Sequence, residues 1–467
     1  MSWLSEKDKQ IFMRFTENLL TFNNSYRREN NAIRQELLPS AYSCPEPSSC
    51  LGGVHSQCAT GYQGPLCAVC VNKYYKLLTR CLKCPTLPWL VVQVFLVAAV
   101  VFVLIYFTVK ERRKPKGQKR SASDAFLAKL KIVVGFYQVT SATLDGFSYI
   151  QWPQEMITLI NYAKMIQLNI LQIAPIHCFS DSLQISIYDR LFVILAFNVI
   201  FVTAALVWYY LKSYQTKRRR DLNDIQKRRR RQFEQERCLR ITFLFLFVVY
   251  SSTTSAIFQI LPLSCQEVCS GSSERKCHSY LKYDYSVSCE SPKYKRYLPV
   301  FYLLLAYPLV LPLATLVLLR YSFSDKWKKQ RKETFKRGLR FLYENYEPHC
   351  WYWEIVDIAR KIVLTSAILL ANTESRSYLL FLSVSSGLYA ILFASYKPIG
   401  DRFEYWLQTA SIISSWTNLM VGLLLKIPKD EFSSLQTRFD SVVITIMLVS
   451  TNVFVVALVA GKCTLKC

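Results

Sequence analysis

Between Trp89 and Ala460 the chain carries about nine apolar stretches, most close to the roughly 20 residues a helix needs to cross about 30 Å of hydrocarbon. Trp89–Tyr106, Leu191–Leu211, Leu298–Leu319 and Ser441–Ala460 are among them. Inside lipid a backbone must satisfy its own hydrogen bonds, so runs of this length and composition fold as helices. The expected fold class is an all-α polytopic membrane protein of about nine transmembrane helices, with a small disulfide-rich extracellular module. Any function has to be one that a bundle of membrane helices can perform.

The charge sits between the apolar runs. Net charge is +26, and on a soluble face such a surplus would point to nucleic acid. Here much of it falls in three blocks that each join two apolar stretches: Lys110–Lys131, Lys212–Arg240 and Arg320–Arg340. That is the positive-inside pattern, so the blocks are expected to be cytoplasmic and to meet anionic inner-leaflet lipid, with no nucleic acid. Arg218, Arg219, Arg229, Arg230, Lys328 and Lys329 are the candidate lipid contacts. In the first block, Lys119-Arg120-Ser121-Ala122-Ser123 would suit a kinase that reads basic residues, and phosphate there would weaken such contact.

The cysteines agree with that topology. Cys44, Cys50, Cys58, Cys67, Cys70, Cys81 and Cys84 precede the first apolar stretch. Cys265, Cys269, Cys277 and Cys289 share one loop, and Cys178 lies in another. All twelve fall opposite the basic blocks, where an oxidising exterior permits disulfides. Seven is odd and Cys178 makes the number even, so six bonds are possible with connectivity open. Cys67-x-x-Cys70 and Cys81-x-x-Cys84 also have zinc-ligand spacing, but an exterior position favours disulfides, so no metal site is expected. Cys238, Cys350, Cys463 and Cys467 are expected to be free.

Four segments follow. Residues 1–42 form a polar N-terminal segment with weak helical periodicity and no signal-peptide core, and are expected to continue a longer ectodomain. Asn23-Asn24-Ser25 is a glycosylation sequon that needs this end outside. Residues 43–86 form the cysteine module. Residues 87–338 hold five helices, near 89–108, 126–149, 188–211, 241–261 and 298–319, with an interfacial stretch within 154–185, the cysteine loop 262–297 and a long, helical second basic block. Pro153 is expected to end the second helix, and Pro308 and Pro312 to kink the fifth. Residues 339–467 hold an amphipathic approach and four helices, near 355–370, 378–395, 403–425 and 439–460. This count puts the N-terminus outside and the C-terminus in the cytoplasm.

Two resemblances can be drawn. Cys58-Ala59-Thr60-Gly61-Tyr62-Gln63-Gly64-Pro65-Leu66-Cys67-Ala68-Val69-Cys70, followed by Tyr74-Tyr75, resembles the EGF-like and ephrin-receptor-type cysteine repeats of extracellular proteins. Leu342-Tyr343-Glu344-Asn345-Tyr346-Glu347-Pro348 and Trp351-Tyr352-Trp353-Glu354, with Asp357, Arg360 and Lys361, are similar to TRP-like multi-pass proteins related to the fungal TRP-like and flavin-carrier family. So are Leu130-Lys131-Ile132 through Gln138, Trp152-Pro153, Asn169 and Cys178. This second resemblance implies a bundle of about nine helices that transports or senses cations, lipid or a cofactor. One departure is the final link: a TRP-type channel carries a long pore loop before its last helix, and here only Lys426–Arg438 is available.

Polar groups inside a bilayer are costly and therefore informative. Gln138, Ser141 and Asp145 share one face of the second helix, Asp145 being either a cation- or proton-binding group or a rim carboxylate. Ser411, Ser415 and Asn418, with Asn452 on the last helix, form stripes that serve close helix packing or a hydrated path. Glu354, Asp357 and Lys361 recur on one face, with Arg360 near Asp357 and an interfacial belt at Trp351 and Trp353. This is a candidate gating helix, or simply an anchored helix start. His55, His177, His278 and His349 are scattered and no glycine-rich phosphate loop is present, so no catalytic site and no cofactor are expected. The sequence favours a plasma-membrane cation channel or channel-related sensor. The alternatives are a lipid or flavin carrier and a multi-pass receptor without transport. Partners are membrane lipid, a permeant cation and, in an oligomer, a second copy of the chain.

Overall fold

The computed structural model describes residues 2–3, 42–52, 57–77, 80–86, 88, 91–92, 95, 122–147, 150, 152–159, 178, 186–221, 223–270, 276–323, 329–365, 376–425 and 434–464. The helices are α1 (Ala122–Gly146), α2 (Ile187–Arg218), α3 (Asp224–Ile260), α4 (Pro292–Leu304), α5 (Ala306–Phe323) and α6 (Lys329–Gly338). They continue as α7 (Arg340–Tyr343), α8 (Trp353–Thr365), α9 (Arg376–Tyr396), α10 (Arg402–Leu425) and α11 (Ser434–Thr464). Four segments are long and apolar enough to cross a membrane: Ile187–Arg218, Asp224–Ile260, Pro292–Phe323 and Ser377–Tyr396. The chain is thus mostly helical with the helices of a multi-pass membrane protein, and four such segments, rather than nine, stand among the described residues. Most of the expected first helix near 89–108 and most of the interfacial stretch within 154–185 lie outside those residues.

The chain forms two compact units. The first comprises residues 1–90, 174–188 and 257–304. Its N-terminal part is built from short antiparallel pairs: Cys50–Gly52 with Gln57–Cys58, Tyr62–Gln63 with Val69–Cys70, and Tyr74–Leu77 with Arg80–Lys83. So little apolar area is buried that disulfides must hold it. They join Cys44 to Cys50, Cys58 to Cys67, Cys70 to Cys81 and Cys84 to Cys178. The odd seventh cysteine of the module therefore finds the distant Cys178. The glycines have a specific task. Gly61 sits at φ +92°, where a Cβ would fall 2.7 Å from the Tyr74 ring.

A three-stranded antiparallel sheet, Cys265–Ser270, Lys276–Leu281 and Asp284–Ser288, completes this unit. Cys265 bonds Cys289, and Cys277 is disulfide-bonded directly opposite Cys269 in the strand register. Leu66 and Ala68 of the cysteine module bury against Val268 and Tyr285 of the sheet.

The second unit comprises residues 91–173, 189–256 and 305–467. The second basic block is almost wholly helical: α2 runs on to Arg218 and α3 starts at Asp224. On α2, Val199, Ile200 and Val207 are more than half exposed, as suits a face turned to lipid. α1 ends at Gly146, before Pro153, and the Trp152 indole N–H then donates to the Phe147 carbonyl at 3.1 Å. The break in the expected fifth helix falls at Leu305, because Pro308 has no N–H for the Leu304 carbonyl and its ring crowds that position. α10 starts where Asp401 Oδ1 accepts from the N–H groups of Phe403 and Glu404, at 3.0 and 2.9 Å. α9 stops at Lys397, which takes a φ of 43° just before Pro398. Ile132, Phe136 and Tyr137 of α1 pack with Leu407 of α10 and Val455 of α11.

Candidate functional site

The chemistry of the second unit concentrates on α8. Thirteen residues long, it is amphipathic in an unusual sense: the face it buries is charged. Glu354, Asp357, Arg360 and Lys361 are all at least nine-tenths buried. Burying charge is unfavourable unless each group is paired and hydrogen-bonded.

Asp357 serves two cations and a phenol. Its Oδ2 lies 2.8 Å from Lys361 Nζ. Its Oδ1 accepts from Arg360 Nε at 3.1 Å, lies 3.0 Å from Arg360 Nη2, and accepts from the Tyr389 hydroxyl of α9 at 3.1 Å. The Arg360 guanidinium also stands 4.8 Å from the centre of the Tyr389 ring.

Glu354 pairs off its own helix. Its Oε2 takes an ion pair from Lys131 of α1 and a 2.9 Å hydrogen bond from the Tyr346 hydroxyl. Burial, followed by the Glu354 and Asp357 carboxylates, pushes the Tyr346 phenol well above its ordinary 10.0, so it remains a neutral donor. Lys131 and Lys361 both approach the Phe247 ring of α3, at 5.4 and 4.7 Å from its centre. Gly135 makes room on α1: a Cβ there would fall 2.8 Å from Lys361 Nζ. A narrow cavity lies among Lys131, Gly135, Tyr346, Asp357, Arg360, Lys361 and Gln408.

This arrangement corrects one expectation and extends another. Lys131 closes the first basic block in sequence, but its side chain is 8% exposed and ion-paired inside the helices, not at a lipid surface. Glu354, Asp357 and Lys361 lie together among the buried residues of α8, where they meet Lys131, Tyr346 and Tyr389 from outside the helix, partners that no local spacing encodes. The signal that could have found Lys131 is a cation that runs directly into the apolar stretch Ile132-Val133-Val134. Trp353 is buried with Tyr389, Phe393 and Cys350, whereas Trp351 is half-buried and stacks on Phe323.

The other candidate residues are distributed elsewhere. Gln138 is buried and donates to the Val248 carbonyl at 2.8 Å, and Ser141 is buried nearby on α1. The Asp145 side chain lies outside the described residues. Ser411 and Ser415 turn their hydroxyls back onto the carbonyls of Gln408 and Ser411, at 2.7 and 2.8 Å. Asn418 and Asn452 exchange side-chain hydrogen bonds between α10 and α11, at 3.2 and 2.8 Å. Arg218, Arg219, Arg229 and Arg230 are exposed around the α2–α3 turn, free of the burial that holds Lys131. Lys328 and the Lys329 side chain lie outside the described residues, as do Cys467 and the Cys463 side chain. Cys238 and Cys350 are free and buried.

Helices of membrane-crossing length, a disulfide-stapled strand region and a buried five-charge network define a multi-pass membrane protein with a charged internal node. No protein-family model, no curated protein and no solved structure matches the chain.

Proposed function

We propose that the chain is a TRP-like cation channel or channel-related sensor of the plasma membrane, with the network on α8 as its gating node. The supporting observation is the ion pair between Lys131 and Glu354, which ties α1 to α8 across 223 residues of sequence. Replacing a buried ion pair by apolar groups is often neutral or stabilising, so the presence of this one fits a role in specifying or switching an arrangement. The same helix is tied to α9 through Asp357 and Tyr389. A movement of α8 would therefore have to exchange partners on two neighbouring helices, a two-state element of the kind gating requires. The exposed arginines at the α2–α3 turn would meet anionic inner-leaflet lipid and supply the regulatory input.

The test is cation flux into proteoliposomes of the full-length protein, with and without an anionic phosphoinositide. The paired variant Lys131→Gln/Glu354→Gln removes both charges while keeping polar groups of similar length. Protein-dependent flux that the paired variant alters is the expected result. Vesicles silent to cations, with insertion verified by protease protection, would overturn the channel reading. Movement of fluorescent lipid or flavin in those vesicles would then favour a carrier.

A further inference from the structure

A carboxamide at bilayer depth has to find partners for both of its halves. Asn198 stands about 16 Å along α2 from Ile187, inside the apolar run, and is buried. Its nitrogen is satisfied: Nδ2 donates to Thr253 Oγ1 of α3 at 3.0 Å. The direction of that bond is fixed from the other side. The Thr253 hydroxyl gives its own proton to the Val249 carbonyl, at 2.9 Å, so it can only accept from Asn198. Oδ1 is therefore the half left over, and among the described residues this buried oxygen has no partner.

A second such group stands beside it. The Tyr307 hydroxyl of α5 faces Thr253 and is also buried without a partner among the described residues. Tyr250 holds this ring in place, with its own ring centre 5.9 Å away and its hydroxyl bound to the Pro308 carbonyl. Around the fully buried Thr253 the chain thus leaves an acceptor on Asn198, a lone pair on Thr253 and a donor on Tyr307.

We propose that an ordered water molecule binds between α2, α3 and α5, held by Asn198, Thr253 and Tyr307. Water matches the complement: it has two protons for Asn198 Oδ1 and Thr253 Oγ1 and a lone pair for the Tyr307 proton, the roughly three bonds typical of a buried water. An alkali cation would suit the two oxygens but leave the Tyr307 proton without an acceptor. An anion would find one donor and meet two lone pairs. Next to the helix break at Leu305, α5 would then meet α3 through one direct bond, from Tyr250 to Pro308, and one bond relayed by water. The water site is independent of whether the protein conducts cations.

The experiment is hydroxyl-radical footprinting of the full-length protein in nanodiscs. X-ray pulses split water where it sits, and mass spectrometry reads oxidation at each tyrosine. A ring beside an ordered water is oxidised although bulk solvent cannot reach it. Tyr307 should be oxidised severalfold faster than Tyr250, whose hydroxyl is taken by a carbonyl. Asn198→Leu fills the site with apolar atoms and should bring Tyr307 down to the rate of Tyr250. Asn198→Met is the second variant should the leucine protein not fold, as judged by size-exclusion chromatography. Wild-type oxidation of Tyr307 no faster than that of Tyr250 would overturn the proposal. So would fast oxidation of Tyr307 that persists unchanged in a folded Asn198→Leu or Asn198→Met protein.

Discussion

The Tyr250 hydroxyl donates a 2.6 Å hydrogen bond to the carbonyl of Pro308. That carbonyl is the one an intact helix would have paired with the N–H of residue 312, which is proline and has none. A side chain of α3 thus replaces the bond that the α5 sequence deletes. Tyr250→Phe leaves the ring in place and strips the buried carbonyl of its donor, at a cost of about 1–3 kcal/mol. The expected outcome is a lower unfolding midpoint for Tyr250→Phe, with no such loss for Tyr302→Phe on a ring that is 54% exposed. Equal midpoints for Tyr250→Phe and wild type would refute it.

Asn418 and Asn452 satisfy each other between α10 and α11, and Asn452 also donates to the Leu448 carbonyl at 2.7 Å. Either single change to leucine leaves a buried amide without its partner and should destabilise by about 1–3 kcal/mol. The double change Asn418→Leu/Asn452→Leu removes both groups and should recover much of that loss. A double-mutant cycle by chemical unfolding checks this, and strictly additive losses would show that the two amides do not act as a pair.

The ion pair of Lys131 and Glu354 makes a sharper version of the same prediction. Lys131→Met alone strands a buried carboxylate, and breaking such a pair from one side typically costs about 3–5 kcal/mol. Lys131→Met/Glu354→Met should be far less damaging than either single change. Folded yield by size-exclusion chromatography in detergent reads the order directly. A double variant as poor as the singles would mean that the two charges do not depend on each other.

These partners mark where the sequence stops being informative. Glu354, Asp357, Arg360 and Lys361 could be placed on one helical face because they lie within eight residues, where spacing alone fixes direction. Lys131 and Tyr389 reach the same node from other helices, and no local pattern encodes which helix becomes a neighbour. The same contrast holds outside the bundle. An odd number of cysteines pointed to a partner for the module, and only the fold pairs Cys84 with Cys178. The basic blocks were legible as charge, but burial assigned Lys131 inward while Arg229 and Arg230 remained exposed. Helix length was obscured at α2 and α3, where helical residues continue past the apolar run into charged sequence.

Removing the Cys84–Cys178 bond should matter more than removing Cys44–Cys50. The first closes a separation of 94 residues and the second one of 6. In the chain-entropy model a loop of about 100 residues is worth about 4.7 kcal/mol, and the value falls as the loop shortens. Cys84→Ser/Cys178→Ser should therefore lower the unfolding midpoint more than Cys44→Ser/Cys50→Ser. The reverse order would show that local packing outweighs loop closure in this unit.

Cys350 supplies a prediction in pH. Burial, and then the neighbouring Glu347 carboxylate, raise its thiol above the ordinary 9.0. The folded protein thus holds the proton more tightly than the unfolded chain does. The corresponding stability is fully present below about pH 9 and is lost as pH rises beyond it. Only the thiolate reacts with a maleimide or iodoacetamide, and Cys350 is fully buried, so both effects slow its labelling. In native protein at pH 8 Cys350 should stay unmodified while a denatured sample labels completely, and the unfolding midpoint of wild type should fall from pH 8 to pH 10 by more than that of Cys350→Ala. Rapid native labelling at pH 8, or parallel pH profiles for the two proteins, would contradict a protected, protonated thiol.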